Sequence, residues 1–351
     1  MTKRMVVTAI TAAGLLAMSA CSAEPDSGDT PGGGNTPTST EDSGQPETPV
    51  DLVLSHVLAD THPWQQCGTP AFLESLEASD TGISVDVFSG GQLHGDVLEA
   101  LDAMDNGNLD MTIATPAQLG TRAEVLSVLD AVYLFRDIEH QQAALASDVA
   151  DEIWAAVSEK GFEVLGVGYF GTRHVTSNMP VHSPADLAGK KLRVIDSPLW
   201  LDNGVALGAD PTPISVGELY IALQQGVVDA QENPVAQINS LAIYEIQDYL
   251  NLTGHVVGSA MPVISTSSWE RLSSNQQAAL RNASQALVEA AGQCTEDQEV
   301  ELLSAWSADG GVIQVNDDID VAAFQDRARA VLFPKWEAAW GDVYRGLQEI
   351  Q

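Results

Sequence analysis

The sequence predicts an α/β protein of two lobes, and three observations carry that expectation. At 351 residues the chain exceeds what one hydrophobic core ordinarily serves. Between residues 51 and 114, apolar runs of period two alternate with helical spacing, the signature of a parallel α/β unit. Residues 186–234 then lay out a half-buried strand, a helix and a short apolar strand, with an arginine and an asparagine near the strand ends. That last stretch reads as a ligand clamp.

Residues 1–20 have a basic start at Lys3 and Arg4 and an apolar core of about fifteen residues, the layout of a secretory leader and too short to span a bilayer. Ser19 and Ala20 directly before Cys21 resemble a lipobox, which implies a lipid on Cys21; the alternative is a plain leader with an incidental cysteine. Residues 21–50 are rich in Ser, Thr, Pro, Gly, Asp and Glu. Such a segment buries too little apolar surface to offset its ordering entropy, so a disordered tether is expected.

The folded part begins with a strand at 51–57. A helix at 61–78 follows, interrupted at Gly68 and Pro70. Residues 83–88 form a second strand, and Ser89-Gly90-Gly91 is a turn that presents Gln92. A helix at 95–104 leads to a strand at 109–114 ending in Thr115-Pro116. Ligands in such sheets sit beyond the carboxyl ends of strands, which marks Val57, Gln92 and Thr115 as lining residues.

Residues 139–160 read as one helix and 162–168 as a strand. Gly166 to Gly171 spells G-x-G-x-x-G, but Thr172-Arg173-His174-Val175-Thr176-Ser177 follows. That segment is β-branched and polar, not a helix whose N-terminus could receive a pyrophosphate, so no dinucleotide is expected.

A strand at 191–195 places Arg193 near its end, and Pro198 opens a helix. A helix at 218–225 stops at Gly226, a strand occupies 227–231, and Asn233-Pro234 ends it. Strands are expected at 248–252 and 255–265, then a long helix at 274–308, a strand at 312–315 and a last helix at 321–340. There is no internal repeat and no later membrane span.

With 49 acidic against 15 basic residues the formal charge is -34. A surface of that sign repels nucleic acid and anionic lipid headgroups, so neither is expected as a partner. Catalysis has no support: G-x-S-x-G, H-E-x-x-H and clustered Cys/His spacings are absent, and no metal or cofactor is expected. Cys67 and Cys294 are an even pair in an oxidising compartment once exported. They form either a disulfide joining the first helix to the long C-terminal helix or two buried free thiols.

The order of these motifs resembles the solute-binding subunit of TRAP (tripartite ATP-independent periplasmic) transporters, the DctP type. The likeness runs from Leu52-Val53-Leu54-Ser55-His56-Val57 through Gly91-Gln92-Leu93, Gly171-Thr172-Arg173 and Leu192-Arg193-Val194 to Gln231-Glu232-Asn233-Pro234. It implies a two-lobe periplasmic-binding-protein-like fold with hinge-crossing strands and a long C-terminal helix. Lobe I would comprise 51–170 plus 259–298, and lobe II 171–258 plus 299–351. The implied function is capture of a small organic acid outside the cytoplasm, by a receptor anchored to the membrane through Cys21. Delivery is to the integral membrane subunits of an ion-gradient-driven permease.

The resemblance makes Arg193 the anchor of the ligand carboxylate, a role that suits a guanidinium, which offers two parallel donors and keeps its charge when desolvated. Arg173 would lie near the same anionic group or form a structural ion pair. Asn233 would donate to the carboxylate and accept from an adjacent hydroxyl. Asp196 stands where the family often has asparagine, and would pair with Arg173 or accept from a ligand hydroxyl or amine. Val216 stands where an aromatic often packs against the ligand. Trp200, His56 and His255 are candidate lining residues, with packing the favoured reading of each. Three rival functions remain: a receptor of the same build that feeds a signalling kinase, a secreted hydrolase or isomerase of a similar acid, and an adhesin or structural lipoprotein that binds no small molecule.

Overall fold

A computed structural model describes residues 47–351. The leader, Cys21 and the tether up to residue 46 lie outside the described residues. The tether expected to reach residue 50 ends earlier. Gln276 donates to the Thr48 carbonyl at 2.9 Å, and Val50 already opens the first strand.

The strands are β1 (Val50–Ser55), β2 (Ile83–Phe88), β3 (Met111–Ala114), β4 (Phe162–Val164), β5 (Gly168–Ser177), β6 (Lys191–Val194), β7 (Asp210–Pro213), β8 (Ala230–Pro234), β9 (Tyr249–Ser265) and β10 (Gln314–Asn316). They form a continuous sheet in the order β2-β1-β3-β9-β5-β8-β6-β7, with β4 and β10 also paired to β9. β1 runs parallel to β2 and β3, and β6 runs parallel to β7 and β8. Between these two parallel groups lie β5 and β9, antiparallel to each other from Gly168↔Ala260 to Ser177↔Tyr249. The pair of long strands is therefore the common element onto which both parallel units are built.

Several elements differ from the sequence expectation, each for a local reason. The interruption at Gly68 and Pro70 is not a break. A π-helix over Trp64–Gly68 runs directly into an α-helix over Thr69–Ser79, with Pro70 in its first turn, where a missing N–H costs nothing. Gly68 serves close approach, since a Cβ there would stand 3.1 Å from the Cβ of Ala291 on the long helix Ser274–Ser307. Next to that contact Cys67 and Cys294 are joined in a disulfide with their Cα atoms 6.4 Å apart.

The single helix expected over 139–160 is two, Ile138–Leu145 and Asp148–Ser158, because Ser147 takes an extended conformation before the second. The strand expected over 162–168 ends at Val164, and Gly168 instead opens β5. β8 lies three residues later than expected at each end and takes in Asn233 and Pro234. All five of its residues are buried, paired with β5 on one side and β6 on the other. β7 was not anticipated at all; its prolines are tolerated because it pairs only with β6, at the sheet edge.

The two strands expected at 248–252 and 255–265 are one, β9, which runs through Gly254. The last helix is split into Val321–Val331 and Phe333–Glu349 at Pro334, with a further kink at Trp340.

The long helix packs a stripe of Leu280, Ala283, Leu287 and Ala291 against Leu52, Phe72 and Phe170, with Trp64 fully enclosed. On the same helix Ala278 is exposed and Ala279 is buried. On the other parallel unit Val194, Leu199, Phe324 and Trp336 are buried together. The glycines of G-x-G-x-x-G serve this packing. A Cβ on Gly168 would fall 2.8 Å from Val288 of the long helix, and Gly171, at φ 109, lies where a Cβ would fall 2.6 Å from Pro234.

Candidate functional site

β6 is central, flanked by β7 and β8, so its alternation buries Leu192 and Val194 on one face and sends Arg193 to the other. The Arg193 side chain is held by its stem: Nε donates to the Ile214 carbonyl at 2.8 Å, and that is its only side-chain hydrogen bond among the described residues. Its terminal nitrogens remain open toward a cavity of ≈ 60 Å³. Burial lowers Arg193 to about 10, partly opposed by Glu232, so it carries its charge at neutral pH.

Arg173 also lines this cavity but is engaged differently. On the β5–β8 pair it registers with Pro234, which makes Glu232 its diagonal neighbour on the same face. Arg173 Nε donates to Glu232 Oε2 at 2.6 Å and Nη2 to Oε1 at 2.8 Å, a fork-to-fork pair, while Nη2 also donates to Asn233 Oδ1 at 3.0 Å.

His255 on β9 completes the group, 3.2 Å from Glu232 Oε2. Burial alone would raise the Glu232 carboxyl, but Arg173 and His255 outweigh it and hold it below the ordinary carboxylate value. Burial lowers His255, only partly offset by Glu232, so the ring is neutral. An ionised carboxylate can only accept, so Nε2 carries the His255 proton and Nδ1 accepts from Thr253 Oγ1 at 2.8 Å. Trp200 lies against the Arg173 guanidinium, 4.8 Å from ring centroid to Cζ. His56 is buried against Gln65, so none of these three aromatic residues lines the cavity.

Of the residues marked in the sequence, Val57, Thr115, Arg173, Arg193, Asp196, Val216 and Asn233 come together around the cavity. Gln92 does not. Its backbone folds back to the Ser89 carbonyl at 3.2 Å, and its side chain is exposed on the loop. Asn233 is more committed than expected, since its Nδ2 donates to Gln231 Oε1 at 2.6 Å while Oδ1 serves Arg173. Asp196 does not pair with Arg173, whose fork is filled by Glu232; it makes no hydrogen bond or ion pair among the described residues.

Sequence reading overlooked Glu232 as partner of Arg173, and also Asp96, Gln118 and Gln237 as lining residues. Glu232 had no distinctive signal, being one of 49 acids and lying just past the strand expected at 227–231. Asp96 had one, as the N-cap of the helix Val97–Asp105, accepting from Leu98 N at 2.7 Å.

A larger open groove, ≈ 920 Å³, runs beside the long helix, between Glu163–Tyr169 and Trp154. Its one lining cation, Arg281, is paired with Glu163 at 3.3 Å, so it offers no uncompensated charge of the kind Arg193 does. Among the described residues no group of three or more His, Cys, Asp or Glu side chains is placed to hold a metal ion, and no helix is long and apolar enough to cross a membrane.

Residues 54–339 match the DctP family, described as bacterial extracellular solute-binding protein, family 7. A solute-binding protein of Roseobacter denitrificans is 33% identical over 286 residues, 80% of this chain and 85% of its own. The sialic acid-binding periplasmic protein SiaP of Vibrio cholerae is 34% identical over 242 residues, 68% of this chain and 74% of its own. Among solved structures, a TRAP periplasmic solute-binding protein of Roseobacter denitrificans with bound 3-deoxy-D-manno-oct-2-ulosonic acid superposes with a TM-score of 0.80. It is 27% identical, with 87% of this chain and 100% of that chain covered.

Proposed function

The chain belongs to the DctP family of bacterial extracellular solute-binding proteins, and from that membership we propose that it captures a small organic acid with Arg193 as the carboxylate anchor. It is a TRAP solute-binding protein, the extracytoplasmic subunit that hands its ligand to an ion-gradient-driven permease in the membrane. The relatives named above bind sialic acid and 3-deoxy-D-manno-oct-2-ulosonic acid, both carboxylates, which supports an acid as the ligand here.

The observation that carries the assignment of Arg193 is its open valence. It is 3 % exposed, yet its two terminal nitrogens have no partner among the described residues. A desolvated guanidinium without a counterion is costly, and a ligand carboxylate supplies the missing pair in the bidentate geometry that guanidinium favours. Arg173 already has its carboxylate in Glu232 and acts as a positioning group. One remaining N–H of the Asn233 amide and the Gln118 amide complete the donor set, while Val57, Ile113, Phe170 and Val216 provide apolar wall.

Capture works by closure, which requires that the ligand bind the closed arrangement better than the open one. The lobes are 51–170 plus 259–298 and 171–258 plus 299–351, and β5 and β9 are the strands that pass between them. Arg193 and Asn233 then come from lobe II and Val57 and Thr115 from lobe I, so a ligand touching both sets favours closure. No chemical step is involved. Cys21 carries the lipid that holds the receptor at the membrane, and metabolic labelling with a radioactive fatty acid that is lost in Cys21→Ala tests that part.

The test of the binding assignment is calorimetry against a panel of sugar acids, amino acids and dicarboxylates. At least one acid binds, and Arg193→Ala weakens that binding by about 2–5 kcal/mol. Retention of near-normal affinity by Arg193→Ala overturns the assignment.

A further inference from the structure

The acceptors in the cavity define the ligand further, an inference that rests on the carboxylate reading of Arg193. Two carboxylates line the same space, Asp96 and Asp196. Asp96 has one oxygen engaged by Leu98 N, and Asp196 is exposed with no partner among the described residues. A third acceptor is independent of these. Gln237 is 3 % exposed and lines the cavity, and its Oε1 is buried without a hydrogen bond among the described residues. A buried amide oxygen left unsatisfied is costly, and its natural partner is a donor delivered by the ligand.

The charges decide which donor. The Arg173 charge is met by Glu232, while Arg193 feels Glu232 and Asp96 at longer range without a direct ion pair among the described residues, so the cavity sets two carboxylates, Asp96 and Asp196, against one guanidinium that has no paired carboxylate. A ligand bringing only a carboxylate adds a third negative charge to that space, and a dicarboxylate adds two. Hydroxyl groups can satisfy Gln237 but cannot offset the repulsion, which in a partly desolvated cleft is stronger than in water. An ammonium does both, since it donates to Gln237 Oε1 and lies against Asp96 and Asp196. We propose that the ligand is a zwitterion, an amine-bearing monocarboxylate whose carboxylate sits on Arg193 and whose ammonium faces Asp196, Asp96 and Gln237.

The experiment measures affinity by calorimetry for the lipid-free full-length receptor and its Asp196→Asn and Arg193→Ala variants. The probes are α-, β- and γ-amino acids on one side and D-gluconate, D-galacturonate and succinate on the other. Asp196 has no partner among the described residues, so its amide replacement leaves folding intact, as a circular-dichroism melt checks. An amino acid is expected to bind more tightly than every probe of the second group. Asp196→Asn is expected to weaken it tenfold or more while leaving gluconate unchanged or improved.

If gluconate, galacturonate or succinate binds more tightly than all amino acids and is lost in Arg193→Ala, the zwitterion falls and the carboxylate anchor stands. An amino-acid affinity that stays within twofold in Asp196→Asn also overturns the zwitterion. If no probe of either group binds, the inference and the carboxylate reading fall together.

Discussion

Arg173 and Arg193 are the same residue type on neighbouring parts of one sheet, 2 % and 3 % exposed and lining the same cavity. Arg173 is saturated. Glu232 fills its fork at 2.6 and 2.8 Å, Asn233 takes a further bond, Trp200 covers its face, and His255 holds Glu232 in turn. Among the described residues Arg193 is tethered by one bond to a backbone carbonyl, and its terminal nitrogens have no hydrogen-bond partner. Burial alone therefore does not mark a binding residue; the informative quantity is hydrogen-bonding capacity left over after the fold has been satisfied. A guanidinium that is complete belongs to the architecture, and one that is incomplete belongs to the ligand.

Two substitutions test this contrast directly, and the largest effect is expected on the Arg173 side. Glu232→Ala strands a buried guanidinium and removes the acceptor of His255, so urea unfolding should report a loss of about 3–5 kcal/mol, the scale for breaking a buried pair. Arg193→Ala removes a charge that the fold does not use. It should cost about 2–5 kcal/mol of ligand affinity by calorimetry while leaving the urea midpoint unchanged or slightly raised. If Arg193→Ala destabilises the apo protein as strongly as Glu232→Ala, the two arginines are not different in kind and the contrast fails.

The disulfide lies outside the contrast and provides a reference for it. Cys67 and Cys294 are 227 residues apart in sequence, and closing so long a loop restricts the unfolded chain strongly. Reduction or Cys67→Ser should lower stability by about 2–5 kcal/mol without changing the affinity of the folded protein. A mutant that loses stability but not affinity defines what a purely architectural effect looks like at this site.

How much of this was legible in the sequence depended on whether the signal was local. β1, β2 and β6 could be read because one face is buried and the side chains alternate. Arg193 stood out because the alternation at 191–195 places it near a strand end and the family resemblance puts the carboxylate anchor at that position. β7 was hidden because Pro211 and Pro213 argue against a strand unless its place at the edge is known. β8 was read three residues early because Asn233-Pro234 looks like a terminator, and only pairing on both sides makes it strand. Glu232 was overlooked for a different reason. In a chain with 49 acidic residues no single one is informative, and the arginine that gives it meaning is 59 positions away. Gln237 carries no sequence signal, since its significance lies in an acceptor with nothing to accept.

The contrast also predicts different responses to pH. Around the saturated arginine the histidines are buried and neutral. Burial lowers His255 and takes His174 down to about 3; elsewhere in the core it takes His56 to about 4 and His62 to about 3. Below pH 6.5, the ordinary value for His255 and the others, the unfolded chain takes up protons that the folded chain refuses. Stability therefore falls as pH falls, by up to about 1.4 kcal/mol per pH unit for each group.

Asp130, raised by burial to about 6, and Glu299, also raised by burial, act in the opposite sense but are fewer than the four histidines. Glu232 adds to the loss further down, since its depressed value gives stability present above the ordinary carboxylate range and lost as pH falls through its folded value. Arg193, at about 10, does not titrate in this window. Denaturation midpoints measured from about pH 7.5 to 5.5 should drop steadily while binding of a carboxylate to the folded fraction stays level. Affinity that tracks stability would mean that the anchor is part of the titrating cluster.

The smallest effect is expected at Gln92, which the strand-end rule marked as lining and the structure leaves exposed on its loop. Gln92→Ala should change stability by no more than about 0.5 kcal/mol and leave ligand affinity unaltered, because the side chain neither packs nor faces the cavity. The near-null result has value beside Arg193→Ala, since both positions follow from the same rule about strand ends and only one has unfilled valence directed at the cavity. An affinity loss of tenfold or more in Gln92→Ala would instead place the Ser89–Gln92 loop over the bound ligand, adding a contact to the donor set and moving the boundary of the site outward by one loop.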